Sequence, residues 1–277
     1  MTDLAAEHIR AFRVVVLNGP RQSGKTTVLQ ALHTLLGATF HNLDQEGTLG
    51  AWYRNHVAAV TERDLREMAR INEPSAAAVV LRALAAFTSQ ELAIARVREK
   101  TGLSRETVAR YVGLLRVVFL VRELPGWSRH LSTRMVKHPK VHLIDTGLAA
   151  QLLGATPEKL ARPGAPELGR LTETFVFTEL AEQASWSETA VRLSHYRDRN
   201  GPEVDLILED DAGRIVAIDV KASSTARPQD AKHLAALRDR FGEQFLHGVV
   251  LHLGDRTLPF GDRITALPLS ALWAPTN

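Results

Sequence analysis

The sequence predicts an α/β protein of several domains, and three stretches predict it. "LNGPRQSGKTT" (17–27) sets a glycine-rich loop between an apolar strand and a helix. "TGLSRETVARYVGLL" (101–115) sets two helical patterns around a glycine turn, with arginines on the second. "EVDLILED" and "RIVAIDVKA" are two β-rich runs separated by Asp-Ala-Gly. The chain has 277 residues, room for about two domains at ~150 residues each. At 45% apolar and 23% charged residues it can build ordinary cores.

The loop comes first. "FRVVVLNG" reads as a short buried strand, and "KTTVLQALHTLLG" as a helix closed by Gly37. Gly19, Gly24, Lys25 and Thr26 match G-x-x-x-x-G-K-[ST]. The glycines let backbone N–H groups wrap a phosphate, and the helix N-terminus adds its positive end. Lys25 reaches the outer phosphates and Thr26 holds Mg²⁺. This predicts a P-loop unit that binds ATP. "ATFHNLD" supplies one further strand, and then the pattern turns helical through "GAWYRNHVAAVTERDLREMARI", where Thr61 and Asp64 have capping-box spacing, and "SAAAVVLRALAAF". No apolar strand ending in an acidic pair follows. A single β-α-β unit cannot bury both faces of a nucleotide-binding sheet.

The middle of the chain reads as a winged helix-turn-helix. Thr88 and Glu91 have capping-box spacing for a first helix, Gly102 makes the turn, and Ser104 caps the next helix. Val108, Tyr111, Val112 and Leu115 form its apolar stripe, which leaves Arg105, Thr107 and Arg110 on or near the outer face for DNA contact. "VVFLVREL", a turn at Pro125-Gly126 and the basic run "SRHLSTRMVKHPK" make the expected wing. Residues 91–140 hold eleven Lys/Arg against four Asp/Glu, a local +7. The whole chain carries +3, which leaves −4 elsewhere. A basic segment in a mildly acidic chain points to a polyanion, with a solvated protein-contact face as the alternative.

In the C-terminal half, a three-residue hairpin loop with Gly213 left-handed pairs Asp210 with Arg214. Counting back places Asp205 opposite Asp219. Alternation puts Ile215, Ala217, Asp219 and Lys221 on one face, and Val216, Ile218 and Val220 on the other. Two like charges ~5 Å apart destabilise a sheet unless something neutralises them, which a divalent ion does. Lys221 is then positioned to act on an attacking water. His195, His233 and His247 lack ligand spacing and read as structural or solvated. The tail, a helix, the strand "GVVLHLG" and a final strand before "LSALW", reads as packing for this sheet.

Asp205 followed by Asp219-Val220-Lys221 resembles the PD-(D/E)xK nuclease superfamily, with Asp in place of the commoner Glu. Glu173, in "LGRLTETFVFTELAEQ", stands where many members carry a further glutamate. The resemblance implies a restriction-endonuclease-like α/β domain, with Glu173, Asp205 and Asp219 as Mg²⁺ ligands and Lys221 as the catalytic lysine. Solvent-exposed strand charge is the competing reading.

Over nearly the whole chain, the ordered series "GPRQSGKTT", "ERDLREMARI", "GLSRETVARYVGLLRVVFLVRELPGWSR", "VKHPKVHLIDTGLAAQLLG", "ETFVFTEL" and "YRDRNGPEVDLILE" followed by "IDVKAS" resembles one family. It is similar to the bacterial and archaeal AAA-type P-loop ATPases that carry a winged helix and a C-terminal nuclease-like domain of unknown function. The implied organisation is a truncated P-loop unit over 1–50, a helical segment over 51–86, the winged helix-turn-helix over 87–140 and the nuclease-like domain over 141–277. Typical members have a longer ATPase core where "NLDQEGTL" here runs straight into "GAWYRNH". The acidic strand and sensor residues fall in that gap, so hydrolysis is expected to be lost or impaired. Asp145, in "VHLIDTG", belongs to the C-terminal region and is not the acid that activates water. The function expected is that of a DNA-associated ATP-binding protein fused to a nuclease-like domain. A metal-dependent DNA nuclease using Asp205, Asp219 and Lys221 is the first alternative, and a non-catalytic DNA-binding regulator the second. DNA is the expected partner, and assembly into an oligomer stays open.

Composition narrows this further. The chain has no cysteine, which excludes disulfides and thiolate chemistry. "MTDLAAEHIR" lacks an apolar signal core, and "LLRVVFLVREL" is broken by Arg116 and Arg122 well short of the ~20 residues of a membrane span. A cytoplasmic protein with no membrane partner is expected.

Overall fold

The computed structural model describes residues 74–128, 138–162, 164–198 and 202–273, with a few helical positions between 53 and 58. Gly19, Gly24, Lys25, Thr26, the whole 1–50 unit and the Thr61/Asp64 pair lie outside the described residues. No helix among the described residues is long and apolar enough to cross a membrane.

The first part runs helix, strand, helix, helix, strand, strand: α1 (Pro74–Ala86), β1 (Gln90–Glu91), α2 (Ile94–Thr101), α3 (Arg105–Val117), β2 (Val121–Leu124) and β3 (Lys140–Leu143). The strands form an antiparallel sheet in the order β1-β3-β2. Gly102 ends α2 at φ 72°, a left-handed conformation that costs glycine little. Ser104 then starts α3, its hydroxyl accepting the Thr107 N–H at 3.2 Å. Val108, Tyr111, Val112 and Leu115 are all buried, as their spacing predicts.

The start of this unit differs from expectation. Thr88 and Glu91 do not cap a helix. Gln90–Glu91 pair with Val141 and Lys140, and α2 begins only after Ala93. Thr88 instead turns inward, where its Oγ1 accepts the Leu143 N–H at 3.3 Å and lies 2.8 Å from Thr174 Oγ1. A buried hydroxyl must find partners, and here the sheet supplies them. The expected strand "VVFLVREL" is also shorter, since α3 continues to Val117 and only Val121–Leu124 is extended. Of the wing sequence, 129–137 lie outside the described residues.

After α4 (Thr146–Leu153) and α5 (Pro157–Leu160), the long α6 (Pro166–Trp186) leads into a six-stranded sheet. Its strands are β4 (Val191–Arg197), β5 (Glu203–Asp210), β6 (Ile215–Lys221), β7 (Phe245–His252), β8 (Leu258–Pro259) and β9 (Ile264–Pro268), in the order β4-β5-β6-β7-β9-β8. β4, β5 and β6 are antiparallel, and β7 joins β6 in parallel through the crossover helix α7 (Lys232–Phe241). One face packs Val176, Phe177 and Leu180 of α6 on Leu206, Ile218 and Leu251. The other packs Leu234, Leu237 and Phe241 of α7 on Ile207, Ala217 and Phe245. Burial of both faces explains why β6 and β7 are apolar almost throughout.

Thr174, on α6, joins the two parts. Its hydroxyl meets Thr88 and lies 3.1 Å from His142 Nδ1, and all three residues are fully buried. Thr174→Val keeps the shape but leaves Thr88 and His142 each short of a partner. The expected cost is about 1–3 kcal/mol, read as a lower urea midpoint at unchanged m-value.

Candidate functional site

The predicted hairpin fixes the geometry. Glu209 pairs with Ile215 and Leu206 with Ile218, and the Asp210 N–H donates to Arg214 O at 3.0 Å, with Gly213 at φ 75° in the turn. The same register carried back sets Asp205 across from Asp219, and their side chains hydrogen-bond to each other. The backbone ladder itself ends at Leu206–Ile218, and the β4–β5 register shifts between Ser194 and Tyr196. Asp205 sits at that irregularity. Its Oδ2 takes over as acceptor for the Val220 N–H at 2.9 Å.

Lys221 stands beside the acids, its Nζ donating to Asp219 Oδ2 at 3.0 Å. Glu173 approaches from α6. All four residues singled out in the sequence are therefore brought into one cluster. A fifth, which sequence reasoning missed, lies at its centre. Lys140, the first residue of β3, places its Nζ 2.7 Å from Glu173 Oε1, 3.2 Å from Glu203 Oε1 and 3.3 Å from Asp205 Oδ1. Its side chain is 3% exposed. In the sequence Lys140 counts as one more surface charge of the basic run, and its only signal is its place directly before the apolar "VHLI". Glu203, two residues before Asp205, was missed as well.

The electrostatics follow from burial. Desolvation, then the charge of Asp205 and the hydrogen bond to it, push the Asp219 carboxyl up to about 8. Burial also opposes ionisation of Asp205. The Lys140 charge, the hydrogen bond from Asp219 and the Val220 N–H outweigh it and hold Asp205 below the usual carboxylate range. Burial works against the Lys140 charge, yet Glu173 and Asp205 outweigh it and hold the ammonium above the ordinary lysine range. Burial and Asp205 raise Glu173, against the pull of the ammonium 2.7 Å away. The like-charge penalty between Asp205 and Asp219 is thus removed by a shared proton and two lysines.

The arrangement does not fit a divalent ion. The Lys140 ammonium occupies the point on which Glu173, Glu203 and Asp205 converge. Asp205 Oδ2 accepts the Val220 N–H, and Asp219 Oδ2 accepts from Lys221. With the ammonium among the acids, no three His, Cys, Asp or Glu side chains of the described residues stand as a metal shell. A cavity of about 480 Å³ is bordered by Gln90, Arg96, Lys140, Arg197 and Glu203. The histidines have structural partners: His195 Nε2 lies 3.0 Å from His138 O, His233 Nδ1 2.9 Å from Glu203 O, and His247 Nε2 3.1 Å from Thr265 Oγ1.

On α3, Arg105 and Arg110 are exposed. Thr107 is half-buried, and its hydroxyl lies 3.0 Å from Ser104 Oγ, so it is shared with the helix cap. Asp145 caps α4, its carboxylate accepting the Leu148 N–H at 2.7 Å.

Residues 168–272 match the model of DUF4143, a domain of unknown function found in bacteria in association with AAA-ATPases. Residues 38–159 match DUF8612, also a domain of unknown function. Two uncharacterized proteins, one from Mycobacterium bovis and one from Mycobacterium tuberculosis, are each 29% identical over 222 residues. The match covers 79% of this chain and 47% of theirs, so the chain spans about half the length of these curated relatives. No solved structure matches.

The protonated Asp219 gives the fold a pH signature. Its carboxyl titrates near 3.8 when unfolded and at about 8 when folded, so the native state binds the extra proton between these values. That contribution is complete below the lower value and is lost as the pH rises through the higher one. Asp219→Asn holds the neutral form at every pH. Thermal melts across this window should show wild-type stability falling as the pH rises from about 4 to about 8, and falling less in Asp219→Asn. Parallel curves would remove the protonated-aspartate account.

Proposed function

We propose that this chain is a DNA-associated, ATP-binding protein of the AAA-type P-loop kind. In this reading residues 87–140 form a winged helix that holds DNA. Gly19, Gly24, Lys25 and Thr26 bind ATP, with hydrolysis lost or impaired, and residues 141–277 are a nuclease-like domain. The observation that carries it is the disposition of α3. Four buried side chains fix one side of the helix, while Arg105 and Arg110 stand exposed in its first two turns. A recognition helix needs both: a rigid seat, and cationic or polar side chains near its N-terminus that reach phosphates and bases. The helix–strand–helix–helix–strand–strand order and the positive charge of the segment support the same reading. The nucleotide-binding part rests on the Gly19, Gly24, Lys25 and Thr26 motif in the sequence.

Cleavage of DNA is the second reading, and the joining of Asp205, Asp219 and Lys221 favours it. Lys140, lodged among the acids, weighs against it and leaves holding rather than cutting as the conclusion.

Fluorescence anisotropy with a labelled duplex tests DNA binding. Wild-type affinity should fall steeply with salt, as counterion release requires. Arg105→Ala and Arg110→Ala should each weaken binding and flatten the log–log salt slope by about 1. Salt-independent binding, or variants that bind like the wild type, would remove the α3 assignment. In parallel, equilibrium binding of labelled ATP should be abolished by Lys25→Ala. Equal, negligible binding by both proteins would remove the nucleotide from the proposal.

A further inference from the structure

We propose that the Lys140 ammonium is the resident cation of the acid cluster, doing structurally what a divalent ion does in a site of this design, so that the cluster takes up no metal. The proposal rests on position rather than on any missing atom. Three carboxylates from two elements, Glu173 on α6 and Glu203 and Asp205 on β5, aim oxygens at one point, and Lys140 fills that point at 2.7, 3.2 and 3.3 Å. An acid cluster of this kind repels itself unless a cation sits among its members. A hydrated divalent ion can leave. An ammonium anchored in β3, which is hydrogen-bonded on both sides by β1 and β2, cannot.

The two cations are mutually exclusive. A metal bound by Glu173 and Asp205 would stand within the contact distance now held by the ammonium, and the like charges would expel one another. Lys140 is held in place by its packing: its side chain is 3% exposed. The consequence is a nuclease-like site whose Asp219 and Lys221 are in place but whose ion position is taken by the chain itself. This inference stands whether or not α3 binds DNA.

The test is metal binding, read without any nucleic acid. Full-length wild type is titrated with Mn²⁺ and free ion is followed by electron paramagnetic resonance. Wild type should take up no stoichiometric Mn²⁺, and its melting temperature should not respond to the ion. Lys140→Ala, which empties the point of convergence, should gain one Mn²⁺ site. Its melting temperature should rise by roughly 5–10 °C at a Mn²⁺ concentration about a hundredfold above the Kd. Adding Glu173→Gln to Lys140→Ala should abolish the gain. Should Lys140→Ala not fold alone, refolding it with Mn²⁺ should recover it, and Lys140→Gln, which keeps bulk without charge, gives the same comparison. One equivalent of Mn²⁺ bound by wild type and lost in Asp205→Asn would overturn the proposal. So would a folded Lys140→Ala, or folded Lys140→Gln, with no affinity for the ion.

Discussion

One buried ammonium sets the terms for the rest of the molecule. Removing a lysine charge from water costs several kcal/mol even after relaxation, and only well-placed opposite charges offset it. Lys140 obtains them from Glu173 on α6 and from Glu203 and Asp205 on β5. Since Lys140 belongs to the three-stranded sheet and its partners to the other part of the fold, the charge is satisfied only when the two are docked in one way. An apolar contact would tolerate sliding by an ångström, but a trifurcated ion pair at these distances does not. Thr174, next to Glu173, adds directional hydrogen bonds to Thr88 and His142 at the same junction.

The acid cluster owes its form to an imperfection in the sheet. A regular β5 would continue its ladder with β6 past Leu206–Ile218, and the Asp205 side chain would stand off the face. Instead the register shift in β4–β5 breaks the ladder at Asp205, and a carboxylate oxygen replaces the carbonyl that Val220 would have used. Such irregularities re-aim side chains at the ends of pairing. Here the result turns a strand aspartate inward to both Asp219 and Lys140. Once Asp205 is committed to the ammonium and an amide, burial and the Asp205 charge hold the Asp219 carboxyl above the usual carboxylate range, against the pull of Lys221 at 3.0 Å.

The local parts of this arrangement were legible in the sequence. The register through Asp210 and Arg214, the left-handed Gly213, the Ser104 cap and the four-residue stripe of α3 all follow from rules acting over a few residues, and the structure bears them out. The Thr88/Glu91 capping box fails because a long-range demand wins: residues 90–91 complete a sheet with a strand fifty positions away. Lys140 could not be read for the same reason. Nothing local marks a lysine as buried, and its three partners lie 33, 63 and 65 residues along the chain. Sequence counting assigned it to a basic surface because charge is additive in a list while burial is not.

That distinction bears on the basic segment itself. The excess of +7 over residues 91–140 suggests a strong field, but the field acting on a polyanion comes only from charges that face water unpaired. Lys140 is neutralised inside the fold. Arg116 spends part of its charge on Glu123 at 3.3 Å, and Arg96 lies over the Phe87 ring at 4.6 Å, directed along the surface of its own unit. Interactions of this exposed kind are weak and give way readily, so Arg116 and Arg96 remain recruitable by phosphate, whereas Lys140 does not. Under the proposed reading, the pull of this face on a polyanion therefore rests less on the sum over the segment than on the placement of a few side chains. Arg105 sits at the helix start, where backbone N–H groups and the helix dipole also favour an anion, and Arg110 is exposed further along the same helix.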